Sequence, residues 1–530
     1  MRRWNGWGDD TVPAALPAQG LRYIESRIGH GTPSRDAGLE HALAAVPASR
    51  LVDLPGASDD PGARLRHARG QSFPDWLAMR HGRMGPFPDA VATPRSHEEA
   101  ADVLRRALAA GAAVIPYGGG TSVVGHLDAD AGGRPVLSLD MGLMARLQDL
   151  DETARLARFG AGVPGPHLES QLRAHGYVLG HYPQSFEYST LGGWVVTRSS
   201  GQQSLRYGRI EGLFAGGRLA TPVGDMSLPT VPASSAGPDL RELVLGSEGR
   251  LGLLTEAAVR VRPIPEREAF HAVFFGDWEA AVSAVRAMAQ ERLPLSMLRL
   301  SNPRETATQL ELAGHPRLIG ALRRYLGWRR LGDAPCMLLV GVTGSAREYR
   351  YGRGGALAIA RAHGGVHVGR GIGEAWAKSR FAGPYMRNGL WDAGYGVDTA
   401  ETAVDWPRVS ATVAAMERAA ETALSAEGER AHVFTHLSHV YPQGSSIYST
   451  FVFRVTGDHD ADLARWRRLK NAVSEAVVAA GGTISHQHGV GVDHKPWLAA
   501  EKGDTGLDAL RAAFEHFDPQ GLMNPGKLLD

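Results

Sequence analysis

The sequence predicts an α+β protein built from more than one domain, on three observations. The 530 residues are enough for two or more sizeable cores. Before about residue 266, short helix and strand patterns follow one another through glycine-rich turns. From about 268 the pattern changes, and long apolar strands ("AFHAVFF", "MLLVGVTG") alternate with helices such as "DWEAAVSAVRAMAQ", which marks a second α+β unit.

Each element has a local reason. Residues 1 to about 80 read as helices and loops broken by Pro and Gly. "SHEEAADVLRRALAAG" is a helix with Ser96 as N-cap, Glu99 closing a capping box and Gly111 as the stop. "AVIP" is a short strand, and "PVLSLD" and "TARLARFGAGV" are strands by alternation. "PGPHLESQLRAHG" is a helix that Pro166 opens and Gly176 closes. Residues 217–240 read as a polar loop, and "GRLGLLTEAAVRVRPIP" as a hairpin-like end to the domain. "GGVHVGRGIGEAW", at 364–376, is glycine-rich without a strand–helix frame and reads as a mobile loop.

Composition narrows the function. Lys plus Arg is 57 against 56 for Asp plus Glu, a net charge of +1, which leaves no electrostatic footprint for nucleic acid. Cys336 is the single cysteine, so an intrachain disulfide and a zinc site of several thiolates are excluded. "MRRWNGWGDD" has no apolar run behind its basic residues, and no stretch reaches the roughly 18 apolar residues of a membrane span. The expectation is a cytoplasmic protein, with peripheral membrane contact left open.

"PYGGGTSVVGH" is the first candidate site. A strand precedes it, but no amphipathic helix follows, so it is not a Rossmann loop; the Gly-Lys-Ser/Thr of a P-loop is also missing. Two readings remain: a nest of backbone N–H groups for a pyrophosphate, helped by the hydroxyls of Thr121 and Ser122, or a glycine-rich turn. A stretch at 182–213, rich in Ser, Thr, Gln and glycine pairs, and "GSEGRLGLLTEA" at 246–257 add backbone and hydroxyls suited to a flat ligand with a polar rim.

At these residues a resemblance becomes plain. "WNGWG" at 4–8, "GGGTS", "EYSTLGGWVVTRSSG", "GSEGRLG", "IYSTFVF" and "SHQHGVG" occur in the order seen in FAD-binding oxidases of the vanillyl-alcohol oxidase superfamily. Within it the chain most resembles the alkyldihydroxyacetonephosphate synthase group. The resemblance implies a PCMH-type FAD-binding domain of two α+β subdomains and an α+β cap domain with an antiparallel sheet. Its implied limits are an N-terminal helical segment at 1–85, the FAD domain at 86–266, the cap at 267–480 and a segment returning to the flavin at 481–530. It places Pro116, Tyr117, Gly118, Gly119, Gly120, Thr121 and Ser122 at the pyrophosphate. Gln184, Ser185, Ser189, Thr190, Gly193, Thr197, Ser199, Ser200, Gly246, Glu248, Gly249 and Gly252 are expected along the flavin and adenosine. Some members tether FAD through a histidine where this chain has Thr121, so the resemblance implies non-covalent FAD. His126, nearby, is given no ligand role.

The reactive residues have two readings each. Tyr448 in "IYSTFVF" reads as a half-buried strand tyrosine; in the resembled group this tyrosine is the acid/base. His486 and His488 alternate about Gln487, so in an extended stretch they point one way. With "THLSH" at 435–439 they also raise a metal site, against which stands Gln487, a poor ligand where metal-dependent hydroxyacid dehydrogenases of the superfamily carry glutamate. No metal is expected. Gln487 also departs from the synthase pattern of three histidines. Arg387 reads as a surface arginine or, by resemblance, as the clamp for a substrate phosphate, with Arg299 in support. The implied reaction replaces the acyl group of acyl-dihydroxyacetone phosphate by a fatty alcohol through an adduct at flavin N5, in a homodimer acting on a lipid-like small molecule. The alternative is an FAD dehydrogenase or oxidase of a 2-hydroxy acid or alcohol.

Overall fold

The structure, a computed structural model, describes residues 2–13, 15–33, 35–52 and 54–529. Ser96 caps the helix His97–Ala109, its Oγ accepting from the Glu99 amide at 3.2 Å. Glu99 does not close the expected box: its carboxylate accepts from the Arg95 amide at 2.8 Å, one residue upstream of the cap. Gly111 turns the chain at φ +68° into the strand Ala113–Tyr117. That strand lies parallel to Val136–Asp140, which lies parallel to Ala90–Ala92; Ala57–Ser58 pairs antiparallel at the edge. Val114 packs with Ala92, Leu104 and Leu137, whereas Ala113 and Ile115 pack with Leu127 and Val136. Both faces are therefore covered, and the strand is held still as it enters the glycine loop.

The second sheet has five antiparallel strands in the order Leu147–Asp151, Leu156–Gly160, Leu253–Arg260, Phe214–Thr221, Gly224–Leu228. Two expectations change here. The polar loop expected from 217 begins as a hairpin of the last two strands. Its glycines serve close packing, since a Cβ on Gly216 or Gly217 would come within 2.4 Å of the Leu228 or Glu256 carbonyl. Leu253–Arg260 is not half of a hairpin either. It is the central strand, and Arg262–Pro263 leaves to pair with Tyr177–Val178.

The third sheet is antiparallel with seven strands: Val366–His367, Arg267–Phe275, Cys336–Gly344, Met297–Ser301, Ala431–Val440, Gly444–Arg454, Tyr395–Asp405. Helices Trp278–Gln290, Ala346–Ala362, Val409–Thr422 and His459–Ala479 contribute apolar residues to its largest core. The glycine-rich stretch at 364–376 is not a loop: it supplies the edge strand and the helix Gly371–Ser379. Gly373 lets that helix lie against the sheet, because a Cβ there would sit 2.3 Å from the Phe270 carbonyl. The chain end returns to the first sheet. The Val114 amide donates to the Leu522 carbonyl at 2.8 Å, and the Asn524 amide to the Val114 carbonyl at 2.9 Å.

Candidate active site

Register builds the reactive cluster. Glu401, Tyr448 and His436 stand directly opposite one another on three adjacent antiparallel strands, so their side chains share one face. The His436 ring stacks on Tyr448 with centroids 5.1 Å apart, and His488 approaches edge-on at 5.7 Å. The Tyr448 hydroxyl donates to Thr399 Oγ1 at 3.2 Å. Burial raises this phenol above its ordinary range, against the Thr399 hydrogen bond; Glu401 and Asp398 raise it further and Arg387 opposes them. Tyr448 is thus a proton donor at neutral pH.

On the same face, Arg299 donates to Glu305 Oε1 at 2.6 Å, and His436 Nδ1 lies 2.9 Å from Glu305 Oε2. Arg299 therefore braces His436 through a buried carboxylate. Glu401 gathers the returning loop: its Oε1 accepts from the amides of Gln487 at 2.6 Å and His488 at 2.7 Å and from Ser485 Oγ at 3.2 Å. Its charge lies 3.6 Å from His488 Nδ1. Sequence reasoning missed Glu401; its one signal is a carboxylate inside the alternating strand "YGVDTAETAVD".

The loop bends, so His486 and His488 do not share surroundings as an extended stretch would have them. His486 Nε2 accepts from Tyr441 Oη at 2.7 Å and from Arg209 Nη1 at 2.9 Å, and its ring lies 5.0 Å from His439. Burial holds both His486 and His488 below the ordinary imidazole value, so both are neutral at pH 7. Arg209, also missed, fixes His486 with its Nε2 as acceptor; Nδ1 is buried and meets no partner among the described residues. Among the described residues, no group of three or more His, Cys, Asp or Glu side chains is arranged for a metal.

Arg387 stands on the helix Met386–Asp392, over the Trp76 ring at 4.5 Å, and donates from Nη1 to the Gln71 carbonyl at 2.7 Å. Burial pushes its guanidinium down to about 10, against the attraction of Asp398 and Asp75. It remains a cation at neutral pH within electrostatic reach of Tyr448.

The glycine loop lies in the wall of a cavity of about 440 Å³. Tyr117, Gly118, Gly119, Gly120 and Thr190 line it, with Asp140, Gly162, Pro164 and Tyr188. Only bare backbone fits. A Cβ would lie 2.3 Å from Thr190 Oγ1 at Gly118, 1.9 Å from the Tyr188 carbonyl at Gly119 and 2.3 Å from the Tyr117 hydroxyl at Gly120. The packing forbids side chains where backbone must approach a ligand. In the same wall, Arg3 Nε is a buried donor without a partner among the described residues. The bare-backbone loop and this open cationic donor fit the pyrophosphate of FAD.

The other expected cofactor residues are held by contacts within the protein and, Thr190 apart, do not line this cavity. Pro116 packs on Gly249, where a Cβ would meet it at 2.8 Å, and Gly246 and Gly252 also turn at positive φ. Thr190 Oγ1 caps the helix Leu191–Val196 by accepting from the Gly193 amide at 3.4 Å, and Thr197 Oγ1 donates to the Gly193 carbonyl at 2.8 Å. Ser189 Oγ accepts from Trp194 Nε1 at 2.7 Å, Ser199 Oγ lies 2.9 Å from His181 Nε2, and Ser200 donates to Ser204 at 3.4 Å. The Ser185 carbonyl accepts from the Tyr188 and Ser189 amides, and Gln184 donates to the Arg380 carbonyl at 2.9 Å. Thr121 is half-buried. Ser122 Oγ lies 2.7 Å from His126 Nδ1, and His126 Nε2 lies 2.9 Å from Glu248. Glu248 then accepts from the Val490 and Gly491 amides at 2.5 and 2.8 Å. His126, passed over in the sequence, thus helps tie the glycine loop to the histidine loop.

Comparison with known proteins agrees with this geometry. Residues 88–227 match the FAD binding domain family, and residues 264–528 match the C-terminal domain of FAD linked oxidases. The chain is 32% identical over 480 residues to alkyldihydroxyacetonephosphate synthase of Dictyostelium discoideum, covering 89% of this chain and 78% of the relative. It is 30% identical over 481 residues to the enzyme of that name from Trypanosoma brucei brucei, with the same coverage. A solved alkyldihydroxyacetonephosphate synthase superposes with a TM-score of 0.84 at 27% identity, over 99% of this chain and 98% of the other. FAD is the cofactor of this fold, and the chain belongs to the alkyldihydroxyacetonephosphate synthase family of FAD-linked enzymes.

Proposed function

We propose that this protein is an FAD-dependent alkylglycerone-phosphate synthase that exchanges the acyl group of acyl-dihydroxyacetone phosphate for a fatty alcohol. The observation that carries the reading is Tyr448, half-buried and protonated between His436 and His488, with the cation of Arg387 in reach. The exchange needs a proton donor as the acyl group leaves as a carboxylic acid, and an acceptor for the proton of the incoming alcohol. Tyr448 supplies the first and neutral His488 the second, and the proton then returns from His488 to the neighbouring Tyr448, so both groups end as they began. Glu401 holds the His488 backbone and lies beside its Nδ1. The planar fork of Arg387 suits a phosphate, and its stacking on Trp76 fixes the plane. When bound, FAD supplies the covalent chemistry of an exchange that is neither a net oxidation nor a net reduction.

The test is to mix anaerobic holoenzyme with acyl-dihydroxyacetone phosphate and a fatty alcohol. Equal amounts of fatty acid and ether product, with the flavin oxidised at the end, support the reading. Stoichiometric reduction of the flavin by a 2-hydroxy acid, with no reaction of the ester, overturns it in favour of a dehydrogenase.

The reading extends to a cytoplasmic homodimer in peripheral contact with membranes. Support for the contact is the lipid-like substrate and the helix Pro316–Trp328, where Leu318 and Trp328 are 70% and 77% exposed beside Arg317, Arg323, Arg324, Arg329 and Arg330. Support for the dimer is the resemblance to the synthase group. Co-sedimentation with anionic vesicles and sedimentation velocity test the two.

A further inference from the structure

The opening motif "WNGWG" has no part in the chemistry above, yet it is built into the site. Residues 2–9 form a strap closed by the Arg3 amide donating to the Gly8 carbonyl at 2.8 Å, with Gly8 at φ +81°. One side is stapled to the helix that carries Arg387. The Trp7 amide donates to Asn388 Oδ1 at 3.2 Å, and Asn388 Nδ2 returns a hydrogen bond to the Trp7 carbonyl at 3.0 Å. Gly6 makes room for that pair, since a Cβ would fall 2.4 Å from Asn388 Oδ1. The other side meets the glycine loop. The Arg2 guanidinium donates to the Gly119 carbonyl and lies 5.2 Å over the Tyr188 ring.

Arg2 and Arg3 both line the glycine-loop cavity, and Arg3 Nε is buried without a partner among the described residues. The loop itself carries no lysine to balance a pyrophosphate. Of the other charged groups in the wall, Asp140 lies 3.1 Å from His67, Arg69 lies 3.1 Å from Asp128, Arg66 donates to the Arg2 carbonyl at 3.1 Å, and Glu187 adds a carboxylate whose Oε2 is buried without a partner among the described residues. We infer that Arg2 and Arg3 form the cationic clamp on the pyrophosphate of FAD, with Trp7 and Asn388 holding the strap in place. The inference rests on FAD occupying this cavity. Guanidinium donors add charge-assisted hydrogen bonds to the neutral N–H groups of the loop. The strap thereby joins the cofactor loop to the substrate arginine's helix.

The experiment follows FAD release from holoenzyme by the recovery of flavin fluorescence on dilution, across a salt series. Arg2→Ala and Arg3→Ala are each expected to release FAD about tenfold faster or more, the effect of losing one charge-assisted hydrogen bond. Arg2→Lys, which keeps the charge without the fork, falls between wild type and Arg2→Ala. Release from wild type accelerates with salt, and the variants lose much of that dependence. Arg286→Ala, exposed on the helix Trp278–Gln290, releases FAD at the wild-type rate and controls for net charge. Release rates within twofold of wild type in both alanine variants, or faster release with the salt dependence intact, overturn the clamp. A wild-type chain that binds no added FAD overturns the cofactor reading and the clamp with it.

Discussion

Tyr448→Phe separates proton transfer from packing. Phenylalanine keeps the ring, and with it the contacts to His436 at 5.1 Å and His488 at 5.7 Å. The hydroxyl makes one hydrogen bond, to Thr399 Oγ1 at 3.2 Å. Net hydrogen bonds contribute about 0.5–1.5 kcal/mol, and one this long sits at the lower end, so stability falls by about 1 kcal/mol or less. Loss of a general acid costs about 10²–10⁴-fold in rate, or about 3–5 kcal/mol of barrier. The two effects differ enough to be read separately. The assay is fatty acid release from acyl-dihydroxyacetone phosphate in the presence of a fatty alcohol, with flavin content and thermal midpoint measured on the same preparation. The expected variant keeps its full FAD content, melts within a few degrees of wild type and is slower by two orders of magnitude or more. Turnover within about threefold of wild type refutes the reasoning, because Tyr448 is then a packing residue and proton transfer belongs to His486 or His488.

Arg387→Lys keeps the charge but loses the fork and the stacking on Trp76, so KM for a phosphorylated substrate rises more than kcat falls; equal loss in both would place Arg387 in the chemical step. Gly119→Ala puts a Cβ 1.9 Å from the Tyr188 carbonyl, so the variant purifies without flavin, which an absorbance spectrum shows directly. Burial raises Asp493 from 3.8 to about 7, so the folded state binds its proton more tightly than the unfolded chain. That stabilisation is complete below about pH 4 and is lost as pH rises through about 7; Asp493→Asn flattens this part of the denaturation profile of the flavin-free protein, and an unchanged profile contradicts the assignment. Thr121 stands where a tethering histidine would, so acid precipitation releases all the flavin to the supernatant, and yellow protein in the washed pellet would show a covalent bond.

What the sequence determined by itself was local or ordered along the chain. The Ser96 cap, the strand into the glycine loop and the helix that Pro166 opens depend on a few neighbouring residues, and each forms. The order of the glycine, hydroxyl and histidine motifs identified the cofactor through its resemblance to a known family; the glycine loop alone left a pyrophosphate nest and a turn equally open. Local signs also misled, for a physical reason. The glycines at 217 and 373 resembled loop residues, but they are small because a neighbouring backbone lies where a Cβ would be. That neighbour is distant in sequence for Gly217 and Gly373. Tertiary structure alone decided the working site. Strand register sets Glu401, Tyr448 and His436 in one row. A bend in the returning loop sends His486 to Arg209 and His488 to Tyr448 and Glu401. The strap at residues 2–9 reaches Asn388 and Gly119, 381 and 117 residues away in sequence. None of these partners lies within a helical turn or a strand period of the residue it serves, so periodicity carries no trace of them, and only the folded packing brings them together.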